Sequence, residues 1–372
     1  MERGFSMKRY NEVQQPQNNR KKKKRFSKAL RNMLLLCLSF LIILIGLLVS
    51  KPGRRLIYGW MANYISGAVN TGKDLDGDGI VDMTFEGLTH DVNPDARKED
   101  YVTNILLMGI ESINGGNRTD SMMIASINTK DKTIKLTSLM RDMYVDIPGY
   151  KGSKLNAAYS KGGAQMLVDT IEKNFKIHID AYASVGFDSL EKIVDLLGGV
   201  EIELGKKEAE YLRKTNYISK PQYRNVKEGL QTLNGNQVVG YCRVRKVETL
   251  EGANSDYGRT LRQRKVLKAI FEKYKTQNVV KLVSIMNQCL GYVDTNLTSA
   301  QIRKALEDVI ENGIMTMESE RIPVNGAFTE QKNYKGAGWV LVPDLEKNVQ
   351  AMYEFIYLDG KEETTQETSS PK

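Results

Sequence analysis

The sequence predicts an α/β fold with a central mixed β-sheet flanked by helices. From about residue 100 onwards, short apolar β-prone runs alternate with amphipathic helical segments. Two of these runs are joined by Asn128–Lys132, which predicts a hairpin and therefore antiparallel neighbours in the sheet. No repeat period is visible, and strands of mixed direction with helices on the faces are the arrangement that this alternation favours.

The first half of the predicted domain supplies most of the sheet. In chain order its elements are three strands (Asn104–Gly109, Ser121–Asn128 and Thr133–Leu139), a helix (Gly163–Phe175), a strand (Ala181–Phe187) and a helix (Asp188–Leu197). Asp188 is a residue type that caps helix N-termini, and the pair Gly198-Gly199 ends the second helix.

The second half continues the alternation after extended structure at Val200–Leu204. The polar stretch Lys206–Lys227 predicts a long irregular surface segment. The remaining elements are a short helix (Asn234–Val239), a strand (Gly240–Arg245), a helix from Ser255, a helix (Ser299–Asn312), a strand (Trp339–Val342) and a last helix (Pro343–Tyr357).

The N-terminal part of the chain predicts a membrane anchor. Residues 33–50 are an uncharged apolar run of 18 residues, near the lower limit for a spanning helix. Eight Lys/Arg lie between Arg20 and Arg31, against three just after the run, which places the N-terminus in the cytoplasm and the remainder outside. No small-x-small cleavage pattern follows, so the run favours a retained signal anchor over a removed signal peptide, with a buried core helix as the other alternative.

These features predict five segments. They are a basic cytoplasmic tail (1–32), a transmembrane signal anchor (33–50), an extracellular stalk (51–99), a main domain (100–358) and a disordered tail (359–372).

Charge and cysteine usage narrow the function classes. Residues 1–55 contain 14 Lys/Arg and two Glu, a net charge of +12 in a chain of +9, so the remainder carries −3. The main domain therefore has no electrostatic support for nucleic-acid binding. Only Cys242 and Cys289 lie beyond the anchor, which argues against a disulfide framework. A disulfide-poor domain behind a polybasic anchor is typical of a Gram-positive bacterial surface.

The available side chains exclude several catalytic classes. With two histidines in the chain, Ser-His-Asp or Cys-His catalysis and multi-histidine zinc sites have no basis. No Gly-x-x-x-x-Gly-Lys-Ser/Thr pattern occurs, which excludes P-loop nucleotide chemistry. Carboxylates and arginines remain, and they suit Mg²⁺ binding and the electrostatic stabilisation of phosphoryl transfer.

The helix that begins at Ser255 turns polar residues toward its core side. Asp256, Arg259 and Gln263 are spaced three and four apart, so they share one face of a helix. The same face continues into an apolar stripe from Val266, which indicates that it is buried. Because unpaired buried charge is unfavourable, these residues need polar partners.

Further arginines and carboxylates fall near predicted strand ends, where open α/β sheets form ligand crevices. They are Glu111, Arg118, Asp120 and Arg141, together with Arg243 and Arg245, which flank Val244 and so share one face of a strand. Any one of these pairs has a surface salt bridge as its alternative explanation. The convergence of five arginines favours a phosphate or pyrophosphate ligand, which guanidinium groups bind bidentately.

Seven motifs follow one another along the predicted domain. They are NILLMGIE (104–111), NRTDSMMIASIN (117–128), SLMRDMYVDIP (138–148), KLNAAYSKGG (154–163), VDLLGGVEI (194–202), LNGNQVVGYCRVRK (233–246) and DYGRTLRQRKV (256–266). With these motifs in this order, the sequence resembles the LytR-CpsA-Psr family of Gram-positive cell-wall glycopolymer ligases. The resemblance covers about Asp100 to Tyr357.

The resemblance implies a membrane-anchored phosphotransferase that moves a glycopolymer from a polyprenyl-pyrophosphate carrier to peptidoglycan. It also implies an apolar tunnel inside the domain for the polyprenyl tail, and Mg²⁺, or Mn²⁺ in its place, as cofactor. By position, Asp120 and Glu111 match metal-binding acids, and Asp120, Arg141, Arg243 and Arg245 are the expected catalytic residues. The expected substrate-binding residues are Arg118, Lys154, Asp256, Arg259 and Gln263.

Four positions depart from the pattern of the family: Glu111 stands for Asp, Ile113 for a frequent Arg, Met140 for Pro, and Cys242 is unusual beside Arg243. Two alternatives to the transferase remain open. One is a polyprenyl-pyrophosphate phosphatase, in which water replaces the sugar hydroxyl. The other is a non-catalytic envelope-binding or regulatory protein.

A separate motif in the stalk predicts calcium binding. Asp74, Asp76, Asp78 and Asp82 occupy positions 1, 3, 5 and 9 of a calcium loop, with Gly79 at position 6. The usual Glu at position 12 is replaced by Phe85. The pattern therefore indicates a weak structural Ca²⁺ site, with a solvated Asp/Gly turn as the alternative.

Overall fold

The structure, a computed structural model, describes residues 50–68, 93–113, 116–276, 288 and 292–358. The chain forms two compact units, Met1–Leu56 and Ile57–Lys372. The predicted calcium loop, the disordered tail and all but Ser50 of the predicted membrane span lie outside the described residues, and the five segment boundaries stay predictions. Within the described part, no helix combines the length and hydropathy needed to cross a membrane.

A six-stranded mixed sheet forms the centre of the second unit, with strand order β10-β3-β2-β1-β6-β9. Its strands are β1 (Val102–Ile113), β2 (Gly116–Asn128), β3 (Thr133–Leu139), β6 (Ala181–Gly186), β9 (Asp294–Thr295) and β10 (Thr316–Ile322). β1 pairs with β2 and β2 with β3 in antiparallel fashion, whereas β6 and β10 run parallel to their neighbours β1 and β3. The predicted α/β class with a mixed sheet is therefore confirmed.

Three two-stranded sheets and eight helices complete the described part of the chain. The short strands are β4 (Tyr144–Val145), β5 (Ser153–Lys154), β7 (Val200–Leu204), β8 (Gly229–Leu233), β11 (Phe328–Gln331) and β12 (Val340–Pro343). The helices are α1 (Lys51–Ala68), α2 (Asn156–Phe175), α3 (Phe187–Leu196), α4 (Lys206–Lys214), α5 (Gly235–Arg243), α6 (Ser255–Lys275), α7 (Ser299–Glu311) and α8 (Leu345–Tyr357), with 3₁₀ turns at Pro221–Tyr223 and Tyr334–Gly336.

Two separate hydrophobic cores support the sheet and the helices. The larger core lies against one face of the sheet, where Leu106 and Ile124 pack against Ile171 of α2 and Ile356 of α8. The smaller core joins the β7–β8 hairpin to α3, α4, α5 and α6 through residues such as Leu212. Helix α6 contributes to both, because Tyr257 packs on the larger core and Val266 belongs to the smaller one.

Several local predictions were wrong at the level of single elements. Gly240–Arg245 is not a strand, since α5 runs through to Arg243. Asn234 and Gln237 form a reciprocal capping box that starts this helix, and the packing of Tyr241 and Cys242 in the smaller core outweighs the β-propensity of these residues. Lys206–Lys227 is not irregular throughout, because it contains α4 and a 3₁₀ turn.

Other boundaries shifted by a few residues. Helix α3 begins at Phe187 with Gly186 as its N-cap, so Asp188 lies inside the first turn rather than at the cap. The predicted helix from Gly163 is the second part of α2, which is broken at Gly162–Gly163, where Gly163 has φ +63°. That left-handed backbone suits glycine, which has no Cβ to clash.

Candidate functional site

A polar cleft lies where β1 and β2 meet α5 and α6. Its cavity of about 530 Å³ is lined by seven of the predicted site residues: Asp120, Arg141, Arg243, Arg245, Asp256, Arg259 and Gln263. Five cationic side chains and three carboxylates face the cavity, which leaves a formal charge of +2. The described lining therefore favours an anionic ligand.

A β-bulge in β2 presents Asp120 to this cleft. Gly109 pairs with Ser121 and Ile110 with Thr119, so Asp120 has no partner on β1. An extra residue of this kind bends the strand and re-aims its side chain. The strands approach closely here, because a Cβ built on Gly109 falls 2.9 Å from the Ser121 Cβ.

Three arginines converge on the Asp120 carboxylate. Arg141 Nη1 donates to Oδ1 at 2.6 Å, while Arg245 Nη2 and Arg259 Nη1 lie 3.4 Å and 3.7 Å from Oδ2. Burial raises the pKa of this carboxyl, but the hydrogen bond and charge of Arg141, with Arg259 and Arg245, outweigh burial and lower it overall. Asp120 is therefore ionised at neutral pH.

Asp256 links the same arginines from the N-terminal turn of α6. Arg259 Nη2 lies 2.8 Å from Asp256 Oδ1, and the Nε atoms of Arg141 and Arg245 lie 3.5 Å and 3.7 Å from the carboxylate. Arg259 is only 2% exposed, and its Nη2 also donates to the Asp120 carbonyl oxygen at 3.1 Å. The predicted polar face of this helix is thus confirmed as the inner wall of the cleft.

The two arginines at the C-terminal end of α5 reach the cleft from different backbone conformations. Arg243 is the last residue of α5, and its guanidinium carbon lies 5.3 Å from the centroid of the Phe187 ring. Arg245 follows the extended C-cap residue Val244, and its side chain is 37% exposed. Their predicted convergence was right, although the predicted strand that was to carry them was wrong.

Gln263 lines the cleft, and Lys154 lies beside it. Gln263 Nε2 donates to the Cys242 carbonyl oxygen at 3.5 Å, and its Oε1 is buried without a hydrogen-bond partner. Lys154 Nζ donates to Asp142 Oδ1 at 2.7 Å, so it contacts the cleft through Asp142, which lines the cavity. Asp142 was not predicted as a site residue. Its position next to Arg141 in the sequence is the feature that could have indicated it. Burial raises the pKa of the Cys242 thiol to about 12, which keeps it neutral and unreactive.

A buried arginine that sequence reasoning missed holds the segment carrying Arg245. Arg262 Nε pairs with Glu208 Oε1 at 2.7 Å, and both side chains are fully buried. Its two terminal nitrogens donate to the carbonyl oxygens of Val244 and Val247, each at 2.9 Å. Arg262 therefore fixes residues 244–247 from below the cleft. The sequence feature that could have predicted Arg262 is its spacing, since Arg259, Arg262 and Val266 fall on one buried stripe of α6.

Glu111 and Arg118 are backbone register partners near the end of the β1–β2 hairpin. Arg118 lies two residues before Asp120 on β2. The predicted roles of Glu111 and Arg118 stay predictions. In the described part of the chain, no three His, Cys, Asp or Glu side chains gather as ligands of one metal ion. The carboxylate donors nevertheless fit Mg²⁺, which commonly takes one or two carboxylates and completes its shell with substrate phosphates and water.

Comparisons with known proteins find a family model and relatives that match this chain. The family model described as "LytR_cpsA_psr family" matches residues 63–353. Among curated proteins, "Regulatory protein MsrR" of Staphylococcus aureus is 33% identical over 263 residues, which are 70% of this chain and 76% of that protein. "Polyisoprenyl-teichoic acid--peptidoglycan teichoic acid transferase TagU" of Bacillus licheniformis is 30% identical over 264 residues, 69% of this chain and 77% of that protein.

Solved structures share the fold as well. TagV of B. subtilis is 26% identical and superposes with a TM-score of 0.53, over 70% of this chain and 99% of TagV. Because the family model spans more than half of the chain, the chain belongs to the LytR-CpsA-Psr family.

Proposed function

We propose that this protein transfers a wall glycopolymer from a polyprenyl-pyrophosphate carrier to peptidoglycan, and that it forms a phosphodiester bond. The observation that carries the proposal is the cleft in which Arg141, Arg245 and Arg259 surround Asp120. Arginines already fixed by carboxylates are pre-organised to stabilise charge that develops on a diphosphate. The TagU relative supports a teichoic acid as the class of polymer, since its name describes transfer of teichoic acid to peptidoglycan.

An apolar sheet face that leads away from the cleft supports a lipid-linked donor. Ile105 and Leu107 of β1 share this face with Ala125 of β2 and with Ala183 and Val185 of β6, and all five side chains are only half-buried. Gly109 continues the same series along β1 and lines the polar cavity. A polyprenyl tail lying on this face would keep its pyrophosphate among the arginines, and burial of apolar chain is favourable.

The reaction that suits this cleft is a displacement at phosphorus. A sugar hydroxyl of peptidoglycan attacks the glycan-proximal phosphorus, the bond from that phosphorus to the bridging oxygen breaks, and polyprenyl phosphate leaves with the electron pair. Arg243 and Arg245 offset charge on the leaving phosphate, and Arg141 and Arg259 hold the other phosphate. The proton of the hydroxyl passes to a carboxylate of the cleft.

A divalent cation belongs to the proposal. Asp120, together with Glu111, would hold Mg²⁺ or Mn²⁺, and the ion would supply further charge neutralisation on the phosphate oxygens. The predicted anchor at 33–50 would hold the cleft outside the cytoplasmic membrane, near both the lipid carrier and the wall.

The test is product analysis with the full-length protein in detergent or vesicles. We expect polyprenyl-pyrophosphate-linked glycan, peptidoglycan and Mg²⁺ to yield glycan joined to peptidoglycan, plus polyprenyl phosphate. Release of free glycan phosphate at the same rate without peptidoglycan would identify a phosphatase instead. Lipid binding with no product under any condition would identify a binding protein.

A further inference from the structure

A second pair of arginines lies away from the cleft, between α6 and the edge of the sheet. Arg264 follows Arg259 by five residues, so it points roughly 140° away around the helix. Arg321 lies on β10 in register with Ser138 of β3. The next pair in this register, Leu139 and Ile322, belongs to the larger core on the other face. Ser138 and Arg321 therefore face the side where α6 packs on β3 and β10.

Polar atoms of this group are buried without partners. Arg264 is 9% exposed, and its Nε and Nη1 atoms have no hydrogen-bond acceptor. The same is true of Arg321 Nη1 and of the Ser138 hydroxyl. Among the residues that the structure describes, neither guanidinium forms an ion pair. Two arginines and a hydroxyl on adjacent elements thus keep unused hydrogen-bonding capacity, which buried polar groups rarely leave unfilled.

The surroundings hold Arg321 in place without neutralising it. Its Nη2 donates to Asn325 Oδ1 at 2.6 Å, and its guanidinium carbon lies 4.7 Å from the centroid of the Tyr257 ring. Burial lowers the pKa of Arg264 to about 10, the charge of Arg321 adds to that effect, and Glu320 opposes it. Arg264 therefore stays cationic at neutral pH, and an unpaired buried charge is strongly unfavourable.

We propose that Arg264 and Arg321, with the Ser138 hydroxyl, form an oxyanion-binding subsite separate from the Asp120 cleft. Its ligand is a phosphate or carboxylate group, which matches guanidinium donors in charge and geometry. Arg321 is half-buried, so an anion can approach from its side. As an extension that rests on the proposed function, the anion is carried by one of the two glycans: a phosphodiester of the donor or a carboxylate of the acceptor peptide.

Thermal denaturation tests the subsite without any reliance on catalysis. The probe is inorganic phosphate, compared with NaCl at matched ionic strength, on the full-length protein. In NaCl, Arg264→Met removes an uncompensated buried charge, so we expect it to melt roughly 2–4 °C above wild type. In phosphate the wild type gains an ion pair that the variant lacks, so the gap should close or reverse. Arg321→Met should show the same pattern.

Two controls separate this subsite from other effects. Lys135→Met removes a buried cation that is already paired with Asp131 and Glu318, so it should lower the melting temperature in both salts. The comparison is repeated in an Arg245→Ala background, where phosphate binding in the main cleft is weakened. If the difference in melting temperature between Arg264→Met and wild type is the same in phosphate and in NaCl, in both backgrounds, the proposal is overturned.

The source of the anion follows from steady-state kinetics of the transfer reaction. A raised KM of Arg264→Met for the lipid-linked donor would identify the donor phosphodiester, and a raised KM for peptidoglycan would identify the acceptor carboxylate. Unchanged KM values for both would overturn the assignment to a substrate. If the protein proves to catalyse no transfer, the proposed function fails, whereas the phosphate-dependent melting behaviour still decides whether the subsite exists.

Discussion

Substitution of Arg262 by Lys tests whether a buried side chain controls the cleft from below. Lysine keeps the positive charge next to Glu208, but its single ammonium cannot reproduce the fork that contacts two carbonyl oxygens. Leaving a buried carbonyl unpaired costs about 1–3 kcal/mol, so we expect moderate destabilisation with the fold retained. Arg262→Met, by contrast, leaves Glu208 as an unpaired buried charge, at a cost of about 3–5 kcal/mol.

The larger expected effect of Arg262→Lys is on ligand binding. Once the carbonyls of Val244 and Val247 are released, the ligand must order the segment that carries Arg245. Fixing the backbone of one residue costs about 1–2 kcal/mol, so ordering two residues costs about 2–4 kcal/mol. This corresponds to an affinity for pyrophosphate roughly 30-fold to 1000-fold weaker.

Calorimetric titration with pyrophosphate, together with urea unfolding, separates binding from stability. Arg213→Lys is the matched control, because Arg213 also donates to a backbone carbonyl, that of Val226 at 2.9 Å, but does not line the cleft. We expect it to leave the affinity unchanged. Combined with Arg262→Lys, Arg245→Ala should lower the affinity less than it does in the wild type, since the two changes act on one segment. Wild-type affinity in folded Arg262→Lys, or full additivity with Arg245→Ala, would refute the positioning role.

Three other outcomes follow from the cleft. Arg245→Ala should reduce transfer at least 100-fold, in line with the loss of one charge-stabilising donor. The melting temperature should change by less than about 2 °C, because the Arg245 side chain is partly exposed. A normal kcat with a large fall in melting temperature would indicate a structural residue. Asp120→Asn should abolish transfer. Because the folded-state pKa of Asp120 is lowered, the wild type should be more stable than this variant above pH 3.8, and the difference should fade as pH falls further, as measured by urea unfolding at several pH values. A pH-independent difference in stability would show that the charge of Asp120 contributes nothing. Gly109→Ala should lower both stability and transfer, because its Cβ would fall 2.9 Å from the Ser121 Cβ beside the bulge. Gly313→Ala, which has open space at its Cβ position but a φ of +62°, should lower stability without loss of transfer; equal activity of both variants would contradict a tight bulge.

The core-facing polar stripe of α6 could be predicted because helical spacing depends only on the sequence. Asp256, Arg259 and Gln263 had to share a face, and no tertiary information was needed to see that the face was buried. The strands β1 to β3 could be predicted for a similar reason, since their apolar β-branched runs are bounded by turn residues.

The backbone carrying Arg243 could not be predicted from local preference. Tyr241 and Val244 favour a strand, but the burial of Tyr241 in the smaller core and the cap at Asn234 decide for a helix through Arg243. The bulge at Asp120 was also out of reach, because a bulge is defined by the register of two strands. The tunnel, the anchor and the calcium loop stay predictions.

Helix α6 connects the two hydrophobic cores, and this arrangement has a consequence for ligand-linked stability. The cleft lies at the junction, with Asp120 supplied by the sheet and Arg243 and Arg245 supplied from the smaller core's side. Suppose that a diphosphate contacts both Asp120's side of the cleft and the two arginines. Local unfolding of the smaller core would then break about half of the ligand contacts, so the core could open only when the diphosphate is released. Amide hydrogen exchange in α4, α5 and the β7–β8 hairpin should therefore slow on pyrophosphate binding, far more than exchange in the centre of the six-stranded sheet.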